Sequence, residues 1–148
     1  MEAAERTHVG IVEWAQRARG AELTGRALAH MLGRAVSTTD RPEVRGALLD
    51  RARRHGWCAD QWSTVIPVLH DIDLSAVVPI DAPALRTALD DPDGPADAER
   101  ALATEALATD ALSTIWARWA AEAGSVADAP FAFVLERTLH ELVPGAPR

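Results

Sequence analysis

The chain has 148 residues, 48% of them hydrophobic and 25% charged, with a net charge of −7. That is enough for one domain with a real hydrophobic core, and the balance is globular, not disordered. The negative charge repels phosphate backbones and excludes nucleic acid as a general partner.

In chain order, the first helical segment runs from about Ala4 to Val36, where Ser37-Thr38-Thr39-Asp40 stops it. Its apolar stripe contains Ile11, Trp14, Ala18, Ala21, Gly25, Leu28 and Leu32, with Glu22 about 50° off the centre at helical spacing. A row of small residues, Ala15, Ala18, Gly25, Ala29 and Gly33, either lets a neighbouring helix approach or leaves space beside the glutamate. The second helix is expected from Pro42, with Asp40 as its cap, to about Leu69. On it His55 falls at the centre of a stripe formed by Val44, Leu48, Ala52, Ala59, Trp62, Ile66 and Leu69. Cys58 and Arg51 lie on the same side, and Trp57 points the opposite way.

Next comes HDIDLSAVVPIDAP, rich in proline and aspartate, which reads as a connection, with a short helix at 84–89 broken by DDPDGP. The third helix spans about Ala96 to Ala123. It buries Ala98, Ala101, Leu102, Ala108, Leu112, Trp116 and Trp119, and Glu105 sits in their midst. A carboxylate there must be paired, protonated or bound to a metal. The fourth helix begins near Pro130, capped by Asp128, and turns Phe131, Val134, Leu135, Thr138 and Leu142 inwards. Glu136 and His140 pair at i,i+4 on its outer side, a solvated face.

This pattern predicts an all-α fold: one domain over 1–148, an antiparallel four-helix bundle with a single long crossover between helices 2 and 3. No window holds about 18 uncharged apolar residues, so no membrane span is expected. The lone cysteine cannot form an internal disulfide, and MEAAERTHVG has neither the basic start nor the apolar core of a secretory signal. Both point to a reducing cytoplasm. The outward Trp57 and Leu107 suggest a second buried surface, hence a homodimer. No serine elbow, phosphate loop, CxxC or HExxH motif is present.

Inward glutamates on helices 1 and 3, with His55-x-x-Cys58 on helix 2, resemble the ferritin-like di-iron carboxylate proteins. That family places one Glu on each of two helices and Glu-x-x-His on each of the other two. Glu22 and Glu105 match the single carboxylates, and His55-x-x-Cys58 stands where the first Glu-x-x-His belongs. The run WCADQW followed by IPVLHD also resembles small ferritin-like bacterial proteins in which a His often stands at the place of Cys58.

The departures bear on the chemistry. Two irons need bridging carboxylates. Helix 2 has no such Glu, and helix 4 offers Thr138. What is left suits at most a single zinc or iron, and no cofactor is expected. Three readings follow for the polar interior. It is a pocket that binds or transforms a small molecule, with Glu105, His55 and Glu22 as catalytic groups and Arg51, Cys58, Trp62, Trp116 and Thr138 around the ligand. Alternatively, it is a structural Arg–Glu–His core in an interaction or assembly protein. The third reading is a mononuclear metal enzyme. A cavity beside Glu105 would favour the pocket; a closed Arg51–Glu105 pair would favour the structural core.

Overall fold

A computed structural model of the chain describes residues 9–66 and 97–143. Among these residues every regular element is helical, and four α-helices pack against one another. They are α1 (Ile11–Ala35), α2 (Pro42–Ser63), α3 (Ala98–Glu122) and α4 (Ala129–Leu142). No described helix is long and apolar enough to cross a membrane. The connection expected to cross the bundle, the short helix at 84–89 and residues 4–8 lie outside the described residues; the first helix, expected from about Ala4, begins at Ile11 behind an extended Gly10.

The helix ends have local causes. After α1 a 3₁₀ turn over Val36–Thr38 tightens the chain, with Thr38 Oγ1 donating to the Ala35 carbonyl. Arg41, not Asp40, precedes α2, and Pro42 supplies the start without any side-chain cap. Asp97 caps α3 by accepting from the Arg100 amide at 2.8 Å. Asp128 does not cap α4 with its side chain. Its carboxylate reaches back to the Ser125 amide in a capping box around the 3₁₀ turn Val126–Asp128.

The interior follows the helical stripes closely. Every residue expected inside α4 is buried, as are the expected residues of α3 except the half-buried Leu102. In α1 the exception is Ile11, at the first helical position and half exposed. In α2, Leu48, His55, Cys58, Ala59 and Trp62 are buried, while Val44 and Ala52 are only partly covered; the helix ends at Ser63, short of the expected Leu69, in a turn that leaves Ile66 partly covered beyond it.

Of the small residues of α1, Gly33 faces open space, while Gly25 has a clear packing role. A Cβ built there would stand 2.9 Å from the His55 carbonyl oxygen and 3.0 Å from the Ala59 Cβ. Backbone on backbone cannot yield, so this glycine is what lets α1 and α2 meet, and it fixes His55 at the contact.

Candidate functional site

Glu105 is the hub of the interior. It is only 4% exposed, and three donors reach it from two helices. From α2, Arg51 Nη1 donates to Oε2 at 2.8 Å and His55 Nε2 meets Oε1 at 2.9 Å. From its own helix, Thr109 Oγ1 donates to Oε1 at 2.9 Å. Burial is the largest influence on its pKa and pushes it up. The His55 and Thr109 hydrogen bonds, with the charges of His55 and Arg51, outweigh that and hold it below the usual carboxylate value. The carboxylate is therefore ionised, so His55 Nε2 carries the proton it shares with Oε1. Its other nitrogen, Nδ1, is buried and has no hydrogen-bond partner among the described residues.

Among the described residues none of the other expected site residues hydrogen-bonds to Glu105. Glu22 is buried as anticipated, but its carboxylate is held by Arg19 at 2.6 Å and Arg26 at 3.2 Å, both on its own helix. Arg26 also reaches Asp60 of α2 at 3.3 Å. Thr138 is fully buried, yet its hydroxyl donates to the Val134 and Leu135 carbonyls of its own helix. It is a satisfied core residue, not one that presents its hydroxyl to a ligand. Burial pushes the Cys58 thiol up to about 12, with the Glu141 carboxylate adding to the rise and Arg54 opposing it. A thiol so held is no nucleophile near neutral pH. Among the described residues no three His, Cys, Asp or Glu side chains are grouped to hold a metal ion.

Trp62 and Trp116 lie against each other, ring centroids 5.5 Å apart, and Trp119 meets Trp62 edge-on at 6.0 Å. Arg17 continues this cluster, its guanidinium 5.3 Å from the Trp119 ring and 5.0 Å from the Trp14 ring, while pairing with Glu13 and Glu122. Here the rings pack on one another, and among the described residues the indole N–H groups of Trp14, Trp62 and Trp116 have no acceptor.

Sequence reasoning missed Thr109 and Arg17. Each had a signal: Thr109 stands one turn after Glu105, and Arg17 one turn after Glu13 and three residues after Trp14. Trp57 also departs from expectation. It is half-buried, and Arg137 of α4 stacks on its ring at 5.3 Å, so much of its surface is covered within the chain. The homodimer expectation then rests on Leu107 alone, 61% exposed, and single exposed apolar residues are ordinary on monomers.

One concave surface lies away from this interior. A groove of about 690 Å³ runs between α3 and α4. Glu136 and His140, exposed as their phase required, stand along it.

The chain matches no protein-family model, no curated protein and no solved structure. The ferritin-like reading therefore rests on the residues and contacts above.

Proposed function

We propose that this is a cytoplasmic, non-catalytic binding protein on a ferritin-like, antiparallel four-helix scaffold. In it the Arg51–Glu105–His55 cluster holds the scaffold together and runs no reaction. The observation that carries this reading is the closure of Glu105 by Arg51, His55 and Thr109. A carboxylate that grips a metal or a substrate needs an open oxygen and partners of its own kind beside it. Glu105 has donors instead, and Glu22 is neutralised by arginines.

Contact order supports the arrangement of the scaffold. Along α2, Arg51 and His55 meet Glu105, and Trp62 meets Trp116 and Trp119, so α2 and α3 advance in the same sense. Between α2 and α4 the order reverses: Arg54 faces Glu141 and Trp57 faces Arg137. Two helices that follow each other yet share a direction fit the long crossover expected of a ferritin-like bundle. Self-association through Leu107 belongs to the same proposal.

A second reading, small-molecule chemistry at the same residues, has one observation on its side. His55 Nδ1 is buried without a partner among the described residues, and a histidine oriented by a carboxylate is the arrangement of a general base.

The two readings separate on Glu105→Gln. If the cluster is structural, protein purified without chelators carries well under one equivalent of zinc or iron, and the substitution lowers the melting temperature by roughly 5 °C or more. Unchanged stability in Glu105→Gln, with or without release of a bound metal, would overturn the proposal.

A further inference from the structure

The groove between α3 and α4 is lined by small apolar residues, Ala117 and Ala120 from α3 and Ala132 from α4. Its volume of about 690 Å³ lies within the range of about 300–1,000 Å³ found for small-molecule pockets. The α4 residues along it, from 132 to 143, extend about 16 Å at the helical rise, so the groove is elongated. Phe133 forms one wall and stays 58% exposed, so its ring is open to an apolar ligand.

Arg137 supplies the recognition element. Its guanidinium stands 5.3 Å from the Trp57 ring and 5.3 Å from the Phe133 ring. Among the described residues no carboxylate pairs with it, in a chain with 22 acidic side chains against 15 arginines. Stacking on rings fixes a guanidinium through its faces and leaves the N–H edge available, the geometry that takes a carboxylate through two parallel hydrogen bonds. Glu136 also lines the groove, with His140 one turn on. The three groups sum to zero or to +1, according to the charge on His140. Against a net −7 the groove is a neutral to weakly basic stretch of surface, open to an anion.

We infer that the α3/α4 groove binds a small amphipathic carboxylate, its apolar chain along Ala117, Ala120 and Ala132 and its carboxylate on Arg137. The inference gives the proposed binding protein its ligand class and so rests on that reading.

Titration with decanoate, followed by calorimetry on the full chain, tests it. Saturable one-to-one binding is expected, weakened about tenfold or more by Arg137→Gln and less by Arg137→Lys, which keeps the charge and loses the planar fork. Decanol and decyltrimethylammonium should bind more weakly than decanoate. Ala117→Trp, which fills the groove, should abolish binding of all three while leaving the fold intact by circular dichroism. Equal affinity for decanol, or decanoate binding undiminished in Arg137→Gln, overturns the carboxylate site. A dimer in sedimentation that Ala117→Trp converts to monomer, with decanoate inert, also overturns it and gives the groove to a second copy. Glu105→Gln, studied well below its melting temperature, should leave decanoate affinity unchanged. A failure of the structural-core reading is thus seen in metal content and stability, and a failure of the groove in this titration.

Discussion

Glu105 and the tryptophan pair Trp62–Trp116 occupy the same buried interior, yet their polar atoms meet opposite ends. Both oxygens of Glu105 are bonded, by donors from two helices. Among the described residues the indole N–H groups of Trp62 and Trp116 have no acceptor. The difference follows from what each group does to its neighbours. A buried carboxylate without partners is so costly that it recruits them, and donors on α2 then tie that helix to α3 at one register. An indole carries so much apolar surface that packing outweighs one stranded donor. The carboxylate specifies a position, and the rings fill space.

The largest effect should come from breaking the specified end. Glu105→Ala strands His55, fully buried, and Arg51, which still reaches solvent. Because only one of the two is sealed in, the loss should fall near the low end of the range for a broken buried pair, about 3 kcal/mol in chemical denaturation. A loss under about 1 kcal/mol would mean that water or the neighbouring side chains replace the carboxylate at no cost, and the cluster would not be the bond between α2 and α3.

Acid should act on the same cluster. In the folded chain Glu105 titrates below its ordinary range, so the unfolded chain takes up that proton first as pH falls. The stability it contributes is complete above the unfolded carboxylate range, near ~4.3, and disappears as pH drops through the lower folded value. Melting curves from pH 7 to pH 2 should therefore converge for the wild type and Glu105→Gln at the acid end. Curves that stay parallel would show that Glu105 has the same proton affinity folded and unfolded.

The space-filling end should respond less. Trp62→Phe removes the unpartnered N–H along with some ring volume. The cavity costs roughly 24 cal/mol per Å³, while release of a stranded donor offsets part of that. The net loss should be about 1 kcal/mol or less, well short of Glu105→Ala. A loss above about 2 kcal/mol would show that the indole N–H has an acceptor in the folded protein and that the contrast between the two ends is smaller than drawn.

How much of this was legible follows from what helical phase encodes. Phase gives the face of a residue, so His55, Glu105 and all five inner residues of α4 were readable from spacing. It does not give the neighbour. Glu22 was rightly placed inside, but Arg19 and Arg26, three and four residues away, capture it before α3 does. Trp57 was read as outward, and Arg137 of another helix covers it. The groove is made of two outer faces brought side by side, and no single stripe carries that information. Gly25 was one of several small residues in a row until the His55 carbonyl gave it a reason.

The smallest change expected tests whether a buried hydroxyl belongs with the carboxylate or with the indoles. Thr138 is fully buried, and its hydroxyl donates at 2.8 Å to Val134 and at 3.3 Å to Leu135, within one turn of its own helix. Such a bond satisfies the hydroxyl but ties nothing to a second helix, and those carbonyls are placed to accept helical amides as well. Valine keeps the branched shape, loses one local hydrogen bond and gains a buried methyl group. These terms nearly cancel, so Thr138→Val should shift stability by about 0.5 kcal/mol or less, in either direction. It should also leave groove binding unaltered, since Thr138 does not line the groove. A destabilisation beyond about 1.5 kcal/mol would place a second partner on the hydroxyl. The polar interior would then extend to α4, with Thr138 joining Glu105 as a group that sets register across helices.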